Sequence, residues 1–217
     1  GNGLMGTVFF KDTVLPNTIA FEIGRVDVYD HRTAEQIKDK YPWPKVRLPI
    51  GKLLLTCNGN IKSVKFKTSL WDANVTGTIQ TDKGKIELMC YVPTDEKIIV
   101  LNYKGFDGEK SPKTLFRPAQ GNNARAPLRP MAGKTYEPNP PYLENKINDI
   151  QVITQPLLNG ENYATAWNDV LLPNDSHSVY VTVANNWADK RMPYNNSDKT
   201  AIEQLQIARS MDGSGNN

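Results

Sequence analysis

The chain has 217 residues, of which 39% are apolar, so it can bury one sizeable core, and its many short β-candidates predict a single all-β domain. The net charge of +3 is nearly balanced and no basic tract alternates with aromatic residues, which argues against a nucleic-acid partner. No run approaches about 18 consecutive apolar residues, so no membrane partner is expected.

The first residues contain a Gly-x-Gly-x-x-Gly string, Gly1 to Gly6, which has to be tested as a dinucleotide site. That fingerprint lies between a strand and a helix, whereas a run with strand composition, residues 7–10, follows it here. We therefore predict no nucleotide cofactor, and no other cofactor. His31 and His177 are far apart and lack metal-binding neighbours, so no metal site is predicted.

Residues 19–30 alternate apolar and polar side chains and predict a half-buried strand with a possible bulge at Gly24. Residues 33–40 could form a helical turn. Trp43 follows, held between two prolines in an extended loop. Its ring could stack on a sugar or cap the edge of the core, and the sequence leaves both possibilities open.

Residues 45–57 predict a strand pair or one bent strand with Gly51 at the bend, followed by a strand at 62–70 whose lysines face solvent. The core candidates of the first segment are Leu48, Ile50, Leu53 and Leu55.

Three strand candidates, 74–81, 85–92 and 98–103, are separated by turn residues at 82–84 and 93–95. The Asp82-Lys83-Gly84 turn predicts an antiparallel hairpin, and the three runs together predict a meander. Apolar residues at even spacing put one face of this sheet in the core: Val75, Ile79, Ile86, Leu88 and Cys90.

Residues 105–148 are rich in proline and poor in β-branched residues, which predicts a long insertion or loop within a β-sandwich domain spanning 1–197. Strands resume at 150–154 and 163–167, and the alternating run 178–184 should pair with the second of these. A helix is predicted at 198–211, with Ser197 or Asp198 as its N-cap, and would begin a linker; 212–217 would be a tail.

Cys57 and Cys90 lie on different strand candidates and are too few for a disulfide framework. They could be buried thiols or form one disulfide between strands, because the sequence does not give their separation.

No catalytic constellation is recognisable in the sequence. Neither a Gly-x-Ser-x-Gly elbow nor an H-E-x-x-H motif is present. A glycosidase needs two carboxylates facing each other across the scissile bond, and the sequence does not pair the candidates. These are Asp30, Asp72, Glu87, Glu144, Glu161 and Asp169.

Three segments together resemble the N-terminal β-sandwich domain of glycoside hydrolase family 95, which includes α-L-fucosidases and related galactosidases. They are residues 1–6, the strand-turn-strand region from Leu70-Trp71-Asp72 to Val100, and residues 155–167. The resemblance implies a large antiparallel two-sheet super-sandwich and a secreted or periplasmic bacterial enzyme. It also implies that the catalytic carboxylates lie in a following α/α barrel, so that no catalytic residue is expected in this chain.

Two functions follow as alternatives. The first is a non-catalytic domain that packs on the missing catalytic domain of the same polypeptide and shapes its glycan site. The second is a free-standing module that binds oligosaccharide or polysaccharide through its tryptophans. A self-sufficient hydrolase would need turnover by this chain alone. The predicted carbohydrate contacts are Asn2, Trp43, Gln155, Tyr163, Trp167 and Trp187.

Overall fold

A computed structural model describes residues 1–32, 46–126, 135–187 and 196–211, so Trp43, the predicted turn at 33–40 and the tail at 212–217 lie outside the described residues. The described parts form twelve strands and one helix. The strands are β1 Met5–Lys11, β2 Thr18–Arg25, β3 Gly51–Thr56, β4 Ile61–Ser69, β5 Asn74–Thr81, β6 Gly84–Tyr91, β7 Ile98–Asp107, β8 Lys113–Pro118, β9 Leu143–Ile147, β10 Ile150–Pro156, β11 Asn162–Leu171 and β12 His177–Asn185; helix α1 is Ser197–Met211.

The strands form two antiparallel sheets, which confirms the predicted all-β sandwich. The small sheet has the order β1-β2-β3-β8, and the large sheet has the order β4-β5-β6-β7-β12-β11-β10-β9. Neighbouring strands in both sheets pair antiparallel throughout. The predicted meander is β5-β6-β7, and the predicted pairing of 178–184 with the 163–167 strand is β11-β12.

Period-two alternation places the core between the two sheets. Ile79 and Ile86 from the large sheet and Leu53 and Leu55 from the small sheet are fully buried in one cluster. Val75 is half-buried, whereas the other predicted members of its face are buried. Burying a large aliphatic side chain is worth about 1.5–3 kcal/mol, so this shared interior is the main stabilising element.

Two predictions about the chain path are wrong. Residues 105–148 are not a loop throughout, because they include the end of β7 and the whole of β8 and β9. Strand β8 completes the small sheet by pairing with β3, and its Phe116 is buried in the core. The bulge at Gly24 is absent, since β1 and β2 pair in continuous register through Gly6 and Gly24, and β2 ends at Arg25.

Helix α1 packs on the outer face of the large sheet, away from the small sheet. On β10, Ile153 points into the inter-sheet core whereas Val152 joins a second cluster. That second cluster contains Ala201, Leu205 and Ala208 of the helix. The helix is therefore docked along the sheet by its small and aliphatic residues.

The N-cap of α1 is Asn196, one residue before the predicted positions. Its side-chain Oδ1 accepts a hydrogen bond from the N–H of Asp198 at 3.2 Å, which satisfies one of the free N–H groups of the first turn. Asp198 instead accepts a hydrogen bond from the Thr154 hydroxyl, and so ties the start of the helix to β10.

Three turns meet at one end of the sandwich, around the buried side chain of Glu109, and we call this region the Glu109 corner. The Glu109 carboxylate accepts hydrogen bonds from the N–H groups of Asn58 at 2.8 Å and Gly59 at 2.7 Å, and from the Thr81 hydroxyl at 2.8 Å. One acid therefore holds together the β3–β4, β5–β6 and β7–β8 turns. This corner is where the chain passes from the small sheet to the large one.

Cys57 and Cys90 are both buried free thiols, so the inter-strand disulfide is not formed. Burial raises the pKa of each thiol to about 12, and the Glu109 carboxylate adds to the effect at Cys57. Because the thiolate is the reactive species, we expect labelling by iodoacetamide at pH 8 to be at least about 100-fold slower in the native protein than in urea. Mass spectrometry of native and unfolded samples measures this ratio. Rapid labelling of either cysteine in the native protein would contradict their burial.

Candidate functional site

Three of the predicted carbohydrate contacts use their polar atoms inside the fold. The Asn2 amide donates to the carbonyl oxygens of Pro93 at 2.9 Å and Glu96 at 2.8 Å, and its Oδ1 accepts from the Met5 N–H at 2.9 Å. The Asn2 side chain thus ties the N-terminal turn to the β6–β7 connection. Its hydrogen-bonding capacity is largely used there.

Gln155 organises the segment that follows β8. The side chain is only 1% exposed; its Oε1 accepts from the Gly121 N–H at 2.7 Å, and its Nε2 donates to the carbonyl of Pro140 at 2.7 Å. Tyr163 is also buried, and its hydroxyl donates to the Pro49 carbonyl at 2.9 Å. Burial raises the pKa of the Tyr163 phenol above its ordinary value. Both side chains stabilise loops rather than face solvent.

Trp187 lies in a cluster of aromatic and ionisable side chains. Its ring is edge-on to His31, with the ring centroids 4.9 Å apart, and to Tyr163 at 6.4 Å. His31 Nδ1 lies 2.8 Å from Glu161 Oε2, and the Asn159 amide donates to the same oxygen at 2.7 Å. The fold therefore brings two predicted contacts, Tyr163 and Trp187, next to a histidine–carboxylate pair.

A second histidine–carboxylate pair lies near the opposite end of β11. Asp169 Oδ1 lies 2.7 Å from His177 Nδ1, while its Oδ2 accepts hydrogen bonds from the hydroxyls of Tyr103 and Thr114. Burial, with Asp169 adding to it, raises the pKa of Tyr103. The Thr114 hydroxyl donates to the acid, so both carboxylate oxygens of Asp169 are engaged within the fold.

Two of the remaining predicted acids, Asp72 and Glu87, are held by separate partners. Asp72 accepts a hydrogen bond from the Ser69 hydroxyl at 2.6 Å, and Glu87 pairs with Lys85 at 2.7 Å on the surface. Among residues 1–32, 46–126, 135–187 and 196–211, no group of three or more His, Cys, Asp or Glu side chains is arranged to hold a metal ion. None of these contacts joins two carboxylates across an open cleft.

Trp167, the remaining described candidate, lines a cleft. It is half-buried on the inner face of β11, with its ring centroid 6.5 Å from that of Phe116 on β8. The cleft has a volume of about 310 Å³ and lies between the edge of the small sheet and the uncovered part of the large sheet. Trp167 thus combines an accessible aromatic ring with a concave surface.

Among the tryptophans in the described residues, the most exposed one, Trp71, was not a predicted contact. Leu70 and Trp71 occupy the tip of the β4–β5 hairpin and are 92% and 95% exposed. Hydrogen bonds between Ser69 and Asp72 and a positive φ of 51° at Ala73 shape the tight turn that presents them. Two large apolar residues next to the turn residues of a hairpin were the signal available in the sequence.

Comparison with known proteins gives a structural likeness and no sequence match. No protein family matches the chain, and no curated protein is similar to it. A solved protein described as a "putative kojibiose phosphorylase from human microbiome" matches the fold with a TM-score of 0.53 at 12% identity. The match covers 97% of this chain and 30% of that protein. The likeness shows the shared sandwich fold, and membership of glycoside hydrolase family 95 stays a prediction.

Proposed function

We propose that the chain is the N-terminal non-catalytic domain of a bacterial enzyme that acts on glycosides, packing on an α/α-barrel catalytic domain and shaping its glycan site. The observation that carries the proposal is the coverage of the structural match: nearly all of this chain aligns with under a third of the protein described as a "putative kojibiose phosphorylase". The chain spans about 30% of the length of that protein. Most of the solved protein therefore lies outside the shared sandwich.

The side chains of the described residues also support a non-catalytic role. Among the predicted acids, Glu161, Asp169, Asp72 and Glu87 are paired with bases, hydroxyls or amides, and Gln155 and Tyr163 hold loops. Glycoside hydrolysis by the usual mechanism needs one acid and one base or nucleophile facing a shared space. The catalytic carboxylates are accordingly assigned to the companion domain.

The hairpin tip supplies a surface for that domain. Leu70 and Trp71 are almost completely exposed. Two large apolar side chains in water are unfavourable unless a partner covers them. We assign this tip as a docking element whose occupant is the catalytic domain of the same polypeptide. A secreted or periplasmic location is part of the proposal and follows from the family resemblance.

Turnover measurements test whether this chain alone is inactive while the full polypeptide is active. We expect no release of nitrophenol from a panel of nitrophenyl glycosides, and no phosphate-dependent cleavage of disaccharides, by residues 1–217 alone. The full polypeptide encoded by the parent gene should catalyse one of these reactions. Measurable turnover by the 217-residue chain would overturn the proposal, as would a parent gene that encodes no further domain.

A further inference from the structure

The inner face of the large sheet extends beyond the small sheet on one side. The large sheet has eight strands and the small sheet four, and β8 is the edge strand that faces β9, β10 and β11. As an edge strand, β8 has backbone groups on its free side that the sheet does not use. The space beside it is the cleft of about 310 Å³ that Trp167 lines.

Strand register gives the order of the side chains on the cleft floor, with Lys146 just beyond the lining residues. Gln151 lies directly opposite Trp167 on one side and Lys146 on the other. Two residues further along β10, Ile153 lies opposite Glu144, on the same face of the sheet. Trp167, Gln151 and Lys146 therefore lie side by side on three neighbouring strands that are about 4.8 Å apart. Glu144 lies one row further along the same face.

The polar groups on this floor have unused hydrogen-bonding capacity. Within the described parts of the chain, the side chains of Glu144, Lys146 and Gln151 accept or donate no hydrogen bond to another protein group. Gln155, on the same face of β10, contrasts with them because both its amide atoms are bonded. Glu144 and Lys146 are exposed to solvent.

We propose that this cleft binds a short neutral oligosaccharide, with the apolar face of one pyranose ring stacked on Trp167. Aromatic rings offer a flat apolar surface with a polar edge, which matches the faces of a sugar ring. Sugar hydroxyls can donate to Glu144 and accept from Lys146 and Gln151. Glu144 lines the cleft, and Lys146 lies two residues along β9 on the same face with the opposite charge, so the site has no net charge and suits an uncharged ligand. The choice of a glycan rests on the proposed function.

The proposal is tested by titrating the 217-residue protein with maltotriose, cellotriose and xylotriose. Tryptophan fluorescence and calorimetry measure the binding. We expect at least one trisaccharide to quench the fluorescence in a saturable way. Trp167→Ala should weaken that binding at least about tenfold, and Gln151→Ala and Glu144→Ala about three- to tenfold each, as expected for one lost hydrogen bond. Trp71→Ala is the matched control, because it removes a tryptophan outside the cleft, and should bind as the wild type does.

Two results would overturn the proposal: no saturable binding of any of the three sugars by the wild type, or equal weakening by Trp71→Ala and Trp167→Ala. Trp167 is half-buried, so if Trp167→Ala fails to fold, the two polar variants on the cleft floor decide the matter. Docking to the catalytic domain is measured without sugar. A negative result for sugar binding can therefore be distinguished from a negative result for the domain assignment.

Discussion

We expect Glu109→Ala to lower the free energy of unfolding by about 3–5 kcal/mol. Glu109 is completely buried and accepts three hydrogen bonds, from Asn58, Gly59 and Thr81. Hydrogen bonds to a charged group contribute about 1.5–3 kcal/mol each, and removing the carboxylate leaves the buried N–H of Gly59 without its acceptor. Urea denaturation followed by circular dichroism measures the change.

The matched control is Glu87→Ala on β6. Glu87 and its partner Lys85 are each about half exposed, so their ion pair contributes little. We expect this variant to stay within about 0.5 kcal/mol of the wild type. Glu109→Gln keeps one acceptor oxygen and should fall between the two. A Glu109→Ala protein as stable as Glu87→Ala would show that the three turns do not depend on the acid.

The second large effect is expected at the hairpin tip. Trp71→Ala should weaken the association of the 217-residue chain with its separately produced catalytic domain at least about 30-fold, because a buried tryptophan anchor is typically worth 2–4 kcal/mol. Leu70→Ala should have a smaller effect in the same direction. Calorimetric titration of one domain with the other gives the dissociation constants.

Val14→Ala is the control for this experiment. Val14 is 79% exposed, but it lies in the β1–β2 turn, next to Asn17, whose side chain contacts Asn60 at the end of β4 away from the hairpin tip. Its replacement should leave the association unchanged. If Trp71→Ala and Val14→Ala bind the catalytic domain equally well, the hairpin tip is not the docking element.

Local patterns in the sequence were sufficient for most of the fold. The alternation at 74–81 and 85–92 with Asp82-Lys83-Gly84 between them specifies a hairpin within about 20 residues, and the structure has it as β5-β6. The run 178–184 likewise pairs with its neighbour in sequence. Alternating burial and turn chemistry both depend on residues close together in the chain, so these strands and their hairpin could be predicted from the sequence.

The errors occurred where distant residues determine the structure. Strand β8 is a run of only six residues that ends at Pro118, and it is fixed by pairing with β3, which is distant in the sequence. Glu109 does lie in a turn within the predicted loop, but the sequence does not reveal its role there, because its three partners lie 28–51 residues away. Both features depend on contacts between residues that are far apart in the sequence.

The candidate site was only partly predictable for the same reason. Trp167 could be chosen by residue type, whereas Gln155 and Tyr163 could not be recognised as structural without their partners 34 and 114 residues away. Lys146 and Gln151 join Trp167 only through the register of β9, β10 and β11. A one-residue shift of β9 would turn Lys146 to the other face.

Sedimentation velocity of an equimolar mixture of the 217-residue chain and the catalytic part of its parent polypeptide tests the central claim most directly. The claim is that this sandwich is one domain of a larger glycoside-active enzyme. The account predicts a single complex containing one copy of each, formed in the absence of sugar. Two independently sedimenting species at micromolar concentration would contradict it.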